Sequence, residues 1–155
     1  MARDTINQLN NLVQINKDAE AGFRNAAEHV KNSELDTLFT DYAKQHAKFA
    51  TELQEEIRTL GGSTSDSGTL GGALHRGWMD LRSAVSGHSA AAMLTSCETG
   101  EQSAESAYMD AADAHATGQT RSLINKHLKQ IQGFRTRLGR LISETKDGID
   151  FQKNE

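Results

Sequence analysis

Residues 34–62, ELDTLFTDYAKQHAKFATELQEEIRTLGG, have the apolar spacing that decides the fold. Apolar residues return after three and four positions alternately, which is typical of one face of an α-helix. This row of inward-facing positions, the seam of the helix, consists of Leu35, Leu38, Tyr42, His46, Phe49, Leu53, Ile57 or its neighbour Glu56, and Leu60. The helix is predicted from about Glu34 to Leu60, and Gly61 and Gly62 end it because glycine adopts the left-handed conformation at little cost.

Three further long helices are predicted, from about Asp4 to Lys31, from near Ser89 to about Ala116, where Gly118 stops it, and from about Thr120 to Glu144. The seam of the first helix is Ile6, Leu9, Val13, Asn16, Glu20, Phe23, Ala27 and Val30. The seams of the last two are Leu94, Cys97, Glu101, Ala104, Tyr108, Ala111 or Ala112, and His115, then Ile124, His127, Ile131, Phe134, Leu138 and Leu141. The chain has no proline, so nothing breaks these helices and an all-α fold is predicted.

The composition points to a single domain over residues 1–155. The formal net charge of −4 is too small to suggest a nucleic-acid partner. No stretch approaches the roughly 20 apolar residues of a membrane span, and the N-terminus lacks the apolar core of a signal peptide. The one cysteine, Cys97, is expected to be a buried apolar residue, which fits a reducing compartment. A cytoplasmic protein with no membrane partner is expected.

The connections predict the topology. The first two helices are joined by a very short turn, which makes them an antiparallel hairpin. Residues 61–72 are rich in Gly and Ser and predict a flexible crossover. A short helix at about 73–85 follows, with Trp78 on its apolar side, and the tail at 146–155 should fray. Two hairpins joined by a long crossover are the ferritin-like arrangement; the alternative is an up-down-up-down bundle with the short helix packed on one end.

Charge supports the pairing of the third and fourth helices. Residues 89–116 contain five acids and no Lys or Arg, whereas residues 119–146 contain seven bases and one acid. Folding the hairpin predicts ion pairs between Glu98 and Arg137, Glu105 and Lys129, and Asp110 and Lys126. Since the bases then have local partners, the fourth helix is a poor candidate for binding nucleic acid.

Three seams carry a possible metal ligand at the same level, about 21–24 Å from one end of the bundle. These residues are Glu20, His46 and Glu101, and the fourth seam places Phe134 there. Two carboxylates and an imidazole could bind one divalent ion such as iron, manganese or zinc. A di-metal site normally needs a Glu from two helices and Glu-x-x-His from the other two.

That set is incomplete, because Ala43, Ile131 and Phe134 occupy three of its positions. Three interpretations therefore stand: a structural hydrogen-bonded layer, a single bound metal, or a di-metal centre completed by other acids. The structural layer would consist of Asn16, Glu20, His46 and Glu101 together with Tyr42 and Tyr108. His127, lower in the bundle, is expected to be a hydrogen-bonded core or boundary histidine.

Four segments carry a resemblance to a known family: LNNLVQINKDAEAGFRNAAEHV (9–30), ELQEEIRTLGG (52–62), GTLGGALHRGWMDL (68–81) and CETGEQSAESAYMDA (97–111). The chain resembles a bacterial family of ferritin-like four-helix-bundle proteins that is described as a domain of unknown function. The resemblance implies a ferritin-like fold, a relation to small proteins associated with stress or biofilm conditions, and no established reaction. In that family the fourth helix often carries a histidine where this chain has Phe134.

These observations predict a non-enzymatic bundle that acts as a stress-related scaffold or protein-association module, with a degenerate di-metal site and no required cofactor. The partner would be a second copy or another protein, engaged through the short helix around Trp78. The alternative is a metal-binding or redox protein that uses Glu20, His46 and Glu101 as ligands.

Overall fold

The computed structural model describes residues 2–64, 90–114 and 118–146, which form four α-helices. These are α1 (Ala2–His29), α2 (Ser33–Thr59), α3 (Ala90–Asp113) and α4 (Gly118–Lys146). No strand occurs in these ranges, so the predicted all-α class is confirmed. No helix in the described part of the chain is long and apolar enough to cross a membrane.

The turn between α1 and α2 is organised by Asn32. Its side-chain Oδ1 accepts hydrogen bonds from the backbone N–H of Glu34 at 2.9 Å and of Leu35 at 3.0 Å. These two N–H groups have no partner within the helix, so the amide caps the start of α2. The short connection lets α1 and α2 pack along their whole lengths.

Two glycines end α2 as predicted. Gly61 has a positive φ of 84°, and the N–H of Gly62 donates to the carbonyl of Ile57 at 2.9 Å, as in a Schellman motif. Gly118, by contrast, does not stop the third helix. The third helix already ends at Asp113, and Gly118, which has a φ of 58°, is the first residue of α4.

Two apolar clusters follow each other along the bundle. The upper core consists of Ala19, Phe23, Ala26, Leu35, Phe39, Tyr42, Ala43, Ala90, Met93, Leu94, Cys97, Leu138 and Leu141. The lower core consists of Leu9, Leu12, Val13, Ile15, Phe49, Ala50, Leu53, Ile57, Ala104, Tyr108, Ala111, Ala112, Ile124 and Ile131. Along the chain, α1 and α4 pass from lower to upper core, and α2 and α3 pass from upper to lower. The first and fourth helices therefore run in one direction and the other two in the opposite one.

The seam predicted for α1 is wrong at its centre. Ala19 is completely buried, whereas the side chain of Glu20 is 29% exposed and pairs with Arg24 at 2.9 Å. Neighbouring helix positions lie about 100° apart, so either residue satisfies a spacing of three and four. The small methyl of Ala19 fits the packed interface, and turning the carboxylate outward avoids the cost of burying a charge.

Arg135 replaces the predicted ion pairs between α3 and α4. Its guanidinium donates to Glu98 at 2.8 Å and to Glu105 at 2.5 Å, because its fork spans two acids that lie two turns apart on α3. Lys126 pairs with Glu52 of α2 at 3.5 Å. The pairing of Glu98, Glu105 and Lys126 predicted from the sequence is therefore wrong in its partners, although basic α4 does pack on acidic α3.

Several predictions fall on residues outside the described part of the chain. These are the short helix at 73–85 with Trp78, most of the crossover at 61–72, His115 at the end of the third seam, and the tail beyond residue 146.

Candidate functional site

His46 and Glu101 form a completely buried pair at the boundary between the two cores. His46 Nε2 lies 2.8 Å from Glu101 Oε1, and both side chains are 0% exposed. The second carboxylate oxygen, Oε2, is buried without a hydrogen-bond partner in the described residues. Two of the three predicted ligands are therefore in direct contact.

Asn16 of α1 holds the other side of the imidazole. His46 Nδ1 lies 2.7 Å from Asn16 Oδ1, while Asn16 Nδ2 is 2.8 Å from the Leu12 carbonyl and 2.8 Å from the Tyr108 hydroxyl. A carbonyl oxygen can only accept, so the amide nitrogen must face Leu12. The amide oxygen then faces His46, and this requires a proton on His46 Nδ1.

The polar contacts continue into the lower half of the bundle. The Tyr108 hydroxyl lies 2.9 Å from His127 Nδ1, and His127 Nε2 lies 2.8 Å from Glu52 Oε1. His127 is completely buried, as expected for a hydrogen-bonded core histidine, whereas the Glu52 side chain is 24% exposed. We call these six residues the polar chain: Glu101, His46, Asn16, Tyr108, His127 and Glu52. It connects all four helices and leads from a buried carboxylate to the surface.

The protons in the lower part of the polar chain follow from Asn16. Since Tyr108 accepts from the amide, its own O–H donates to His127 Nδ1, and His127 Nε2–H donates to Glu52. His127 is thereby a neutral imidazole with its proton on Nε2. Every hydrogen bond from His46 to Glu52 then points the same way.

The upper pair holds one further proton. Because His46 Nδ1 is already protonated, the 2.8 Å contact between Nε2 and Glu101 Oε1 needs a proton between these two atoms. The pair has no net charge whether imidazole or carboxyl carries that proton. This neutrality explains how an acid can be buried among apolar residues without a Lys or Arg partner.

Burial and hydrogen bonding set the electrostatics of the lower residues. Burial lowers the pKa of His127, while its hydrogen bond to Glu52 partly opposes this. Partial burial would raise the pKa of Glu52, but the hydrogen bond from His127 and the charge of Lys126 hold it below its ordinary value. Burial raises the pKa of the Tyr108 hydroxyl strongly. The Tyr108 hydroxyl thus stays protonated, and Glu52 stays ionised, at neutral pH.

Aromatic rings enclose the two imidazoles. Phe23 stacks on His46 with ring centroids 5.8 Å apart, and Phe49 stacks on His127 at 4.2 Å. Phe134, placed at the predicted metal level, contacts the His46 ring at 5.9 Å and stacks on Tyr42 at 4.2 Å. These rings fill the space beside the polar chain and shield it from solvent.

The predicted site residues are therefore only partly brought together. His46, Glu101, Asn16 and Tyr108 share one network, as the structural-layer interpretation expects. Glu20 is outside it, bonded to Arg24. No three His, Cys, Asp or Glu side chains within the described ranges lie close enough together to hold a metal ion. Of the three predicted ligands, only His46 and Glu101 are in contact, through one imidazole nitrogen and one carboxylate oxygen.

The sequence did not predict Glu52 or its contact with His127. Glu52 stands beside the seam residue Leu53, so spacing alone assigns it to the surface. The sequence signal for Glu52 is His127, because a buried imidazole needs a partner on each nitrogen and a carboxylate on a facing helix can supply one.

Two open surface grooves lie away from the polar chain. One, of about 380 Å³, is lined by Asp4, Thr5, Asn7, Gln8, Asn11 and Ala114. The other, of about 420 Å³, is lined by Arg24, Ala27, Glu28, Val30, Asp36 and Thr40. Neither groove is lined by a residue of the polar chain, so a molecule bound in either groove would not contact Glu101.

Comparison with known sequences gives one family. Residues 4–114, which include α2, α3 and all of α1 except its first two residues, match the family described as Domain of unknown function (DUF2383). No curated protein matches the chain.

Proposed function

We propose that this chain, which belongs to the DUF2383 family, is a non-enzymatic ferritin-like bundle that works by associating with proteins, as a small stress-related scaffold. In this proposal the polar chain is structural. The observation that carries it is that both ring nitrogens of His46 are already bonded, one to Asn16 and one to Glu101. An imidazole bonded on both sides has no lone pair ready for a metal or a substrate.

The helix directions support the ferritin-like part of the proposal. The second helix ends beside the lower core and the third begins beside the upper core. The end of α2 and the start of α3 therefore lie at opposite ends of the bundle, as in two hairpins joined by a crossover. An up-down-up-down bundle would instead have α2 and α3 antiparallel.

The position of Phe134 supports a degenerate rather than an active di-metal site. A ring at this level, in contact with the His46 ring, stands where the usual recipe needs an imidazole. The carboxylate that should precede it by three residues is replaced by the completely buried Ile131.

A single bound divalent ion is the second candidate. The observation that favours it is the Oε2 atom of Glu101, which is buried and has no partner in the described structure. Glu101 and His46 would be the ligands, and the proton they share would leave when the ion binds. Glu20 could join them only by giving up its bond to Arg24 and turning inward.

Metal analysis of the full chain separates the two candidates. We expect protein purified without added metal to contain no stoichiometric iron, manganese or zinc. We also expect anaerobic Fe(II) titration followed by oxygen to show no two-iron endpoint and no rapid oxidation. One tightly bound ion per chain would establish the second candidate if Glu101→Gln abolishes the binding. Glu98→Gln is the matched control, since Glu98 lies one turn away and bonds to Arg135 at the surface.

Association is tested directly by sedimentation of the full chain over a wide concentration range, alone and with cross-linked partners recovered from cells. The proposal expects a specific complex whose formation depends on Trp78, at the centre of the predicted interaction segment. The proposal would be contradicted if the chain stays monomeric at all concentrations and Trp78→Ala does not change its cross-linked complexes with other proteins.

A further inference from the structure

His127 joins three helices through one buried ring. Its Nδ1 accepts from the Tyr108 hydroxyl of α3 at 2.9 Å, and its Nε2 donates to Glu52 of α2 at 2.8 Å. The ring face stacks on Phe49 of α2, with centroids 4.2 Å apart and planes inclined by 25°. Every polar atom and one face of this imidazole are therefore engaged in contacts between helices.

The titratable groups around His127 come from three helices. Glu52 of α2 faces Nε2, Tyr108 of α3 faces Nδ1, and Lys126 is its neighbour on α4. Glu52 favours the charged imidazole, whereas Lys126 and the more distant His46 disfavour it. The first helix reaches this region through Asn16, whose amide does not titrate.

Protonation of Nδ1 would leave one buried hydrogen-bond donor without an acceptor. The Tyr108 oxygen already accepts from Asn16, so its O–H has His127 Nδ1 as its acceptor. A second proton on the imidazole would remove that acceptor. It would leave either the Tyr108 O–H or the new N–H without a partner in a buried site, which is destabilising.

We propose that His127 is an acid-sensitive latch that holds α2, α3 and α4 together in the lower core while it is neutral and releases the Tyr108 contact when it takes up a proton. Mild acid then loosens the lower half of the bundle and uncovers the apolar surface around Phe49. The latch does not depend on the function proposed above, since the same joint would operate in a metal-binding bundle.

The direction of the pH effect follows from burial. An unfolded histidine has a pKa of about 6.5, and burial lowers the pKa of folded His127 below it. The unfolded chain therefore takes up the proton first, so the stabilising contribution of His127 is complete above about pH 6.5 and is lost as the pH falls toward the folded pKa. The pKa of Glu52 is below its ordinary value of 4.5, which keeps its own titration outside the range from pH 7.5 to 5.

Nitrogen NMR of the wild-type chain tests the latch without any substitution. We expect His127 to be the Nε2–H tautomer at pH 7.5 and to take up its second proton below about pH 6.5, the ordinary value for histidine in an unfolded chain, because burial lowers the pKa of His127. At the pH where His127 takes up this proton, amides of α2, α3 and α4 in the lower core should lose hydrogen-exchange protection. An Nδ1–H tautomer, or protonation of His127 at or above the pH of about 6.5 typical of an unfolded histidine, would overturn the proposal.

Two variants test the same joint by thermal unfolding. His127→Asn keeps an acceptor for Tyr108 but cannot take up a proton, so its fall in Tm between pH 7.5 and 5 should be smaller than that of the wild type by roughly 2–4 °C. Asn125→Ala, a non-titrating control at an exposed position of the same helix, should keep the wild-type pH dependence. Equal falls in Tm for wild type and His127→Asn would contradict a latch at this residue.

Tyr108→Phe removes the donor and leaves the rest of the ring in place. Protonation of His127 then breaks no hydrogen bond, so in the NMR titration its midpoint should move up from the wild-type value, toward the pH of about 6.5 of an unfolded histidine. An unchanged midpoint would show that burial alone controls the imidazole and that the Tyr108 contact is no latch.

Discussion

His46 Nε2 and Glu101 Oε1 lie 2.8 Å apart, with both side chains completely shielded from solvent. Such a buried pair is weak support for high stability, because two well-packed apolar residues could replace it at little cost. We expect the pair to act instead on specificity, because a shift of α2 along α3 would separate the imidazole from the carboxylate. Because of this pair, single substitutions at this level of the bundle should differ in how much unfolding free energy they remove.

Truncation of the two carboxylates in the predicted metal set should change stability by very different amounts. Glu101→Ala strands His46 in the core, so we expect a loss of about 3–5 kcal/mol of unfolding free energy. Glu20→Ala removes a partly exposed helix-surface pair with Arg24 and should change stability by less than about 0.5 kcal/mol. Urea unfolding of the two variants measures the difference.

A double substitution tests whether the loss of stability in Glu101→Ala comes from leaving His46 unpaired. Replacing His46 and Glu101 together by apolar residues should cost less than the sum of the two single changes, since neither polar group is then left unpaired. Additive losses would mean that the two side chains do not depend on each other.

Asn16 should be the least replaceable polar residue of α1. Asn16→Ala removes the acceptor of His46 and the donor to Tyr108, with an expected cost of roughly 2–5 kcal/mol. Asn16→Asp should not rescue stability, because a carboxylate has no N–H for Leu12 and Tyr108. The exposed Asn7 supplies the control, and Asn7→Ala should stay within about 0.5 kcal/mol in the same unfolding measurement.

The sequence predicted the four helices well because apolar spacing over more than twenty residues averages out local ambiguity. It failed at Glu20, where a choice between two adjacent positions depends on how closely α1 approaches its neighbours. It found Asn16, His46 and Glu101, since polar residues on an apolar seam stand out. Glu52 could not be found this way, because its position looks exposed until the partner of His127 is known.

Arg135 should contribute more than a single surface ion pair. Its guanidinium bonds two acids of α3 and its side chain is 28% exposed, so Arg135→Ala should cost roughly 1 kcal/mol. Arg135→Lys should recover only part of this, because an ammonium lacks the planar fork. Arg140→Ala, at an exposed position of the same helix, is the control and should have little effect.

Salt distinguishes this contribution from packing. The difference in unfolding free energy between wild type and Arg135→Ala should shrink as the ionic strength is raised from about 0.01 to 1 M, because solvent-accessible charges are screened. A difference that does not change with salt would assign the loss to the apolar stem of Arg135 instead.

The two tyrosines of the chain should titrate unusually late. Burial raises the pKa of Tyr42 to about 12, and it raises the pKa of Tyr108 further. An unfolded tyrosine ionises near pH 10, so between about pH 10 and 12 the unfolded chain loses protons that the folded chain keeps. Stability must therefore fall as the pH rises through this range. Phenolate absorbance should be absent from the native protein at pH 10.5 and should appear near pH 10 in guanidinium. A native phenolate signal at pH 10 that disappears in Tyr108→Phe would show that the Tyr108 hydroxyl is open to solvent, contrary to its place in the polar chain.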